Sequence, residues 1–228
     1  MCGRYSFATN PDVLRKQFPD VDLPAELDKN YNLAPTQQGY VVLNESPGTL
    51  SRLKWGLIPS WSKDPKMGAR MINARSETAL DKPSFRTPIR KRRCLVLADS
   101  FYEWQREGKT KTPYRILRTD DSLLVMAGIW DVWKNKESDE WVQSYSVLTC
   151  APNEEMDPIH NRMPLLFTTA EQWQAWLKPE EDRDYIEPLL TPTPDGVLQM
   201  YPVHRAVGNV RNNGPDLHER VDPAAAGG

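Results

Sequence analysis

Cys94-Leu95-Val96-Leu97 and, just beyond it, Phe101-Tyr102-Glu103-Trp104 decide the fold class. Both runs are aliphatic or aromatic and too short for an amphipathic helix, so each predicts a strand. Working outward, the same composition recurs in Tyr40-Val41-Val42-Leu43, Leu53-Lys54-Trp55-Gly56-Leu57, Tyr114-Arg115-Ile116-Leu117, Leu123 to Trp130 and Trp141 to Cys150. Helices are fewer. Thr9-Asn10-Pro11-Asp12 reads as a cap with proline in the first turn, opening a helix through Val13, Leu14 and Phe18. Thr169 to Leu177 reads as a capped helix, with another between Pro179 and Leu190, and Trp173 and Trp176 share a core-facing stripe. Many short strands, few helices and 20 prolines predict one α+β domain over residues 1–220. Its centre is a curved, mostly antiparallel, barrel-like sheet, and the small residues of 221–228 form a disordered tail.

Composition excludes several classes. With 228 residues, 39% hydrophobic and 26% charged, the chain is neither disordered nor a coiled coil. The longest apolar run, Leu123 to Trp130, falls far short of the roughly 20 residues that span a bilayer. The first twenty residues hold no apolar core of a secretory signal, which predicts a cytoplasmic protein. Cys2, Cys94 and Cys150 fit neither a disulfide framework nor a common zinc site, so free thiols, no metal and no cofactor are expected. The net charge of −2 hides an asymmetry. From Lys66 to Arg93, nine basic residues face only Glu77 and Asp81, a local +7 that leaves −9 for the remainder. Such an island is either a solvated face or the footprint of phosphate contacts.

The amino terminus carries the most distinctive chemistry. Initiator methionine is trimmed when a small residue follows, so the mature chain is expected to begin at Cys2. A 1,2-aminothiol results. Its α-amine has an ordinary pKa of about 7.7–8.0 and its thiol one of about 8.5, so both sit near neutrality. The amine can serve as the general base of an N-terminal-nucleophile hydrolase. Alternatively, it attacks an aldehyde and the thiol closes a five-membered thiazolidine.

Seven segments then resemble one family in its own order: Cys2-Gly3-Arg4-Tyr5, Tyr31-Asn32-Leu33-Ala34-Pro35, Trp55 to Trp61, Ile72-Asn73-Ala74-Arg75-Ser76-Glu77-Thr78, Phe101 to Trp104, Ile159-His160-Asn161-Arg162-Met163-Pro164 and Val207-Gly208-Asn209-Val210. The chain is thereby similar to the SOS-response-associated peptidases, also described as abasic-site-processing proteins. The resemblance implies a cysteine that forms a covalent thiazolidine with the ring-opened aldehyde of an abasic site in single-stranded DNA, shielding the lesion at stalled replication forks.

On that resemblance Cys2 supplies amine and thiol. Glu103, partly desolvated by Phe101, Tyr102 and Trp104, is the proton shuttle. His160 is a second acid or base and Asn73 orients the terminus or the sugar. Arg4, Arg75 and Arg162 are the DNA-binding arginines, and Trp61 stacks on an unpaired base. Asn32 and Pro35 form a turn beside the cysteine, and His204, Arg205 and Asn209 serve structural hydrogen bonds. Familiar bacterial members often carry a second arginine after the position of Arg162, where this chain has Met163. The implied partners are single-stranded DNA with abasic sites and replication machinery, with no membrane and a monomeric chain. Two alternatives remain: a peptidase or autoprotease that removes Met1, and a glutamine amidotransferase. The latter lacks a synthase domain here, and the chain's Asn-Gly, Asn213-Gly214, lies near the carboxyl end.

Overall fold

A computed structural model describes residues 2–222 and residue 226. Its strands are β1 (Tyr5–Phe7), β2 (Asn30–Leu33), β3 (Gln38–Leu43), β4 (Ser46–Trp55), β5 (Asn73–Arg75), β6 (Arg93–Ala98), β7 (Ser100–Glu107), β8 (Thr110–Arg118), β9 (Leu124–Lys134), β10 (Trp141–Cys150), β11 (Met163–Pro164), β12 (Leu166–Phe167) and β13 (Leu198–Pro202). The helices are α1 (Pro11–Gln17), α2 (Ser76–Ala79), α3 (Arg86–Lys91), α4 (Ala170–Leu177) and α5 (Arg183–Ile186), with short 3-10 turns between elements. This is the expected α+β fold on a mostly antiparallel sheet. Met1 and most of the proposed tail lie outside the described residues.

Five strands close into a barrel in the order β10-β4-β3-β6-β9 and back to β10. Four seams are antiparallel. The closing seam, β4 on β10, is parallel and pairs Lys54 with Ser144 and Trp55 with Tyr145. Closure leaves the barrel without a free edge, which removes the usual route to edge-to-edge aggregation. Its interior holds Trp55, Val41, Val96, Met126 and Tyr145, all 5% exposed or less, so the apolar runs of the sequence form its wall and core. Gly128 sits at a tight point of the wall: a Cβ there would lie 2.7 Å from both Cys94 Sγ and Val96 Cγ2. At Gly39 the missing side chain leaves room for the hydroxyls of Tyr5 and Tyr145, which meet at 2.5 Å.

A second sheet, in the order β13-β8-β7-β1-β2, carries the amino terminus. Strand β1 pairs with β7 through Tyr5–Phe101 and Ser6–Ser100, and Tyr102 N–H donates to Arg4 C=O at 2.9 Å. That register leads the chain from Arg4 back toward Cys2 alongside Glu103. The carboxyl-terminal strap covers this sheet. Asn32 Nδ2 donates to the carbonyls of Asn209 and Asn212, and Val203 bridges Arg220.

The helices brace the barrel from outside. Asn10 caps α1, and a capping box between Thr169 and Gln172 opens α4, as the sequence predicts. Trp176 is fully buried and donates Nε1–H to Cys94 C=O at 3.0 Å, while Trp173 stacks on Phe18 with centroids 4.8 Å apart.

The basic segment does not form one continuous exposed face, because its last residues are buried or paired. Arg93 is fully buried and donates to the carbonyls of Trp176, Ile89, Arg90 and Lys178, tying α3 to the end of α4. Arg92 pairs with Asp131 at 2.6 Å and Lys91 with Glu181 at 3.3 Å. Arg93 thereby completes the carbonyl ends of two short helices, the places where a helix leaves acceptors unmet, while Arg92 and Lys91 are neutralised by carboxylates. Lys66, Arg70, Arg75, Lys82 and Arg86 remain exposed.

Candidate active site

Cys2 lies where the two sheets meet and is fully buried. Its thiol points toward Arg4 C=O at 3.8 Å, and its own carbonyl accepts from Asn73 Nδ2 at 2.7 Å. Asn73 is held by β5, whose parallel pairing with Val147 of β10 ties it to the barrel. Burial pushes the Cys2 thiol far above the ordinary cysteine range, and the neighbouring Glu103 carboxylate pushes it further. A thiolate at Cys2 is therefore disfavoured in the folded chain.

Glu103 is 4% exposed, so the desolvation expected from its aromatic flanks is present. Glu103 and His160 line one pocket of about 430 Å³, together with Trp104, Arg106, Lys111 and Gly208. The imidazole of His160 is oriented by its own loop, with Nδ1 3.1 Å from both the N–H and the C=O of Arg162. One cavity thus carries a carboxyl and an imidazole, and the carboxyl is also felt by the Cys2 thiol, an arrangement that suits proton transfer at a small electrophile.

The four residues expected on DNA divide. Arg75 and Trp61 are exposed, Trp61 at 57%, and Arg75 forms no ion pair among the described residues. Arg4 and Arg162 instead face inward. Arg4 Nη1 donates at 2.8 Å to both Asn32 Oδ1 and Val207 C=O, fastening the start of the chain to β2 and to the strap. Arg162 makes a fork-to-fork pair with Glu77 at 2.5 and 2.9 Å and donates to Thr149 C=O at 2.6 Å. That pairing holds Glu77 below the usual carboxylate range. Met163 is fully buried, its sulfur receiving Asn153 N–H at 3.4 Å. All three cysteines are free and buried, and burial raises Cys150 to about 11.

With this geometry in view, comparison decides the lineage: the model of the SOS response associated peptidase (SRAP) family matches residues 1–210. The chain belongs to the SRAP family. Abasic site processing protein YoqW of Bacillus subtilis is 42% identical over 224 residues, covering 96% of this chain and 99% of its own. Abasic site processing protein HMCES of Gallus gallus is 34% identical over 260 residues, covering 95% of this chain and 76% of its own. A crystal structure of a Bacteroides thetaiotaomicron protein superposes with a TM-score of 0.86 at 28% identity, covering 97% of this chain and all of that one.

Several residues in and around this SRAP site escaped sequence reasoning. Glu77 and Thr149, the partners of Arg162, are one such pair, although Glu77 stands inside a recognised segment. Trp104, Arg106 and Lys111 are the others. Gly108, at φ 60°, marks the hairpin that joins β7 to β8, but only the register brings Arg106 opposite Lys111. No helix among the described residues is long and apolar enough to cross a membrane, and no cluster of three potential metal ligands occurs among them.

Proposed function

We propose that this chain captures abasic sites in single-stranded DNA through its mature amino-terminal Cys2, as a covalent shield during replication-associated damage. The observation that carries the reading is the fixed, fully buried Cys2 beside Glu103, with its carbonyl bonded to Asn73. A terminus held so closely is pre-positioned, and pre-positioning is what an intramolecular ring closure needs.

Loss of Met1 turns the Cys2 nitrogen into an α-amine with an ordinary pKa of about 7.7–8.0, which leaves a minor but usable neutral fraction near pH 7. The neutral amine attacks C1 of the ring-opened sugar, and the carbinolamine loses water to give an imine. The thiol sulfur then adds to the same carbon while its proton passes to the imine nitrogen. A five-membered thiazolidine results, with one water lost overall. Because burial keeps the thiol protonated, the amine acts first. Glu103 carries protons between thiol, departing hydroxyl and nitrogen. His160, across the pocket, serves the sugar oxygen that forms on ring opening.

Arg75 offers a free guanidinium fork to a phosphate, and Trp61 a ring face to an unpaired base, a contact worth about 1–3 kcal/mol. Arg4 and Arg162 act one step back. The first anchors the terminus, and the second orients the loop that carries His160. An intact nucleotide is refused because its C1 is not electrophilic.

Trimmed protein, its terminus confirmed by mass spectrometry, is incubated with single-stranded DNA bearing one abasic site and then denatured. A heat-stable band with the mass of protein plus DNA minus one water is expected, and Cys2→Ala abolishes it. Absence of that band with trimmed protein overturns the proposal and returns peptide hydrolysis by Cys2 to the front.

A further inference from the structure

The rim of the Glu103–His160 pocket carries an electrostatic conflict within the protein. Arg106 of β7 and Lys111 of β8 are direct partners in the antiparallel ladder and line the same pocket. Side chains paired in this way have Cβ atoms about 4.5–5.5 Å apart, and like charges so placed are destabilising. Both are exposed, and among the described residues neither forms an ion pair or a side-chain hydrogen bond. The next pair along the ladder sets Glu107 against Thr110, so Lys111 has no carboxylate opposite it. Trp104, two residues before Arg106 on the same strand face, is half-buried and borders the same space.

From this we infer that Arg106 and Lys111 together clamp one backbone phosphodiester next to the lesion, with Trp104 as the apolar wall beside it. The inference rests on the DNA reading above and adds to it the place where the strand leaves the pocket. A diester oxygen between a guanidinium and an ammonium turns a repulsive pair into two charge-assisted hydrogen bonds. The deep carboxyl of Glu103 keeps phosphate off the floor, so the anion stays at the rim while the uncharged aldehyde enters.

The test uses trimmed full-length protein and single-stranded DNA carrying a tetrahydrofuran analogue, which has no aldehyde and binds without crosslinking. For one phosphate shared by both cations, the slope of log K against log salt becomes shallower by about 0.7 in R106A/K111A. Lys109→Ala, at the hairpin tip, serves as the comparator and leaves the slope unchanged. Thermal melting of R106A/K111A at or above the wild-type Tm shows that the hairpin survives. An unchanged slope in the double variant overturns the inference, and so does an equal change in Lys109→Ala. Failure of the functional reading is separable: wild-type protein then gives no crosslink to aldehydic DNA, whatever the slopes show.

Discussion

Cys2 and Cys94 are buried alike, and burial raises both thiols far above the ordinary range, yet their surroundings differ in kind. Around Cys94 desolvation is the whole cause: the thiol faces Gly128 across a barrel seam and acts as a small hydrophobe. Around Cys2 a carboxylate adds to the push, an amide holds the carbonyl, and a pocket with an imidazole opens nearby. Burial by itself makes a quiet sulfur. What singles out Cys2 is its place next to Met1, where, on the proposed function, loss of Met1 lets the same residue supply an amine that needs no thiolate.

The sharpest way to break this contrast is paired alanine replacement. Cys2→Ala is expected to lose the crosslink completely with little change in Tm, whereas Cys94→Ala keeps it; denaturing gels distinguish the two. A crosslink surviving in Cys2→Ala would erase the distinction. Next in size, Glu103→Gln should slow crosslinking about 100-fold, the lower end for a general acid–base group, with DNA affinity retained. A parallel loss of affinity, read by anisotropy on the tetrahydrofuran analogue, would make Glu103 structural.

The pH profile comes third. If the amine leads, the crosslinking rate rises about tenfold between pH 6.5 and 8 as the α-ammonium loses its proton, then levels. A rate still climbing beyond pH 9 would mean that thiolate formation is limiting after all, because the folded thiol titrates above its usual range. The smallest effect tests the other cysteine. Gly128→Ala should cost about 1–3 kcal/mol by overpacking against Cys94 Sγ and Val96 Cγ2. Adding Cys94→Ala should recover part of it, and additive losses in chemical denaturation would show that the two do not touch.

Most of the barrel could be read in the sequence because its strands are continuous apolar runs: Trp141 to Cys150 is β10 to the residue, and Leu123 to Trp130 lies almost wholly within β9. Short elements were less visible. Strand β5 has only three residues, and its start is fixed by a tertiary bond, Trp55 Nε1–H to Ile72 C=O, that no local pattern announces. The parallel seam left no trace, since pairing of residues so distant is a property of closure. At the site, Cys2, Asn73, Glu103 and His160 were legible through recognised segments, and the structure brings Cys2 to Asn73 and Glu103 and puts His160 on Glu103's pocket. The inward turn of Arg4 and Arg162 was not legible, because guanidinium groups bind carbonyls and phosphates with the same geometry.

The parallel seam between β4 and β10 also bears on how the protein is made. Lys54 must wait for Ser144 to be synthesised before the barrel can close, and His160 and Gly208 are translated later still. Cys2 leaves the ribosome just behind Met1, and the later parts of its surroundings arrive last. On the proposed function the aminothiol exists only once Met1 is gone, so trimming before the chain is complete would expose it to any small aldehyde in the cell, and the timing of Met1 removal governs how much protein reaches its fold with an unspoiled terminus.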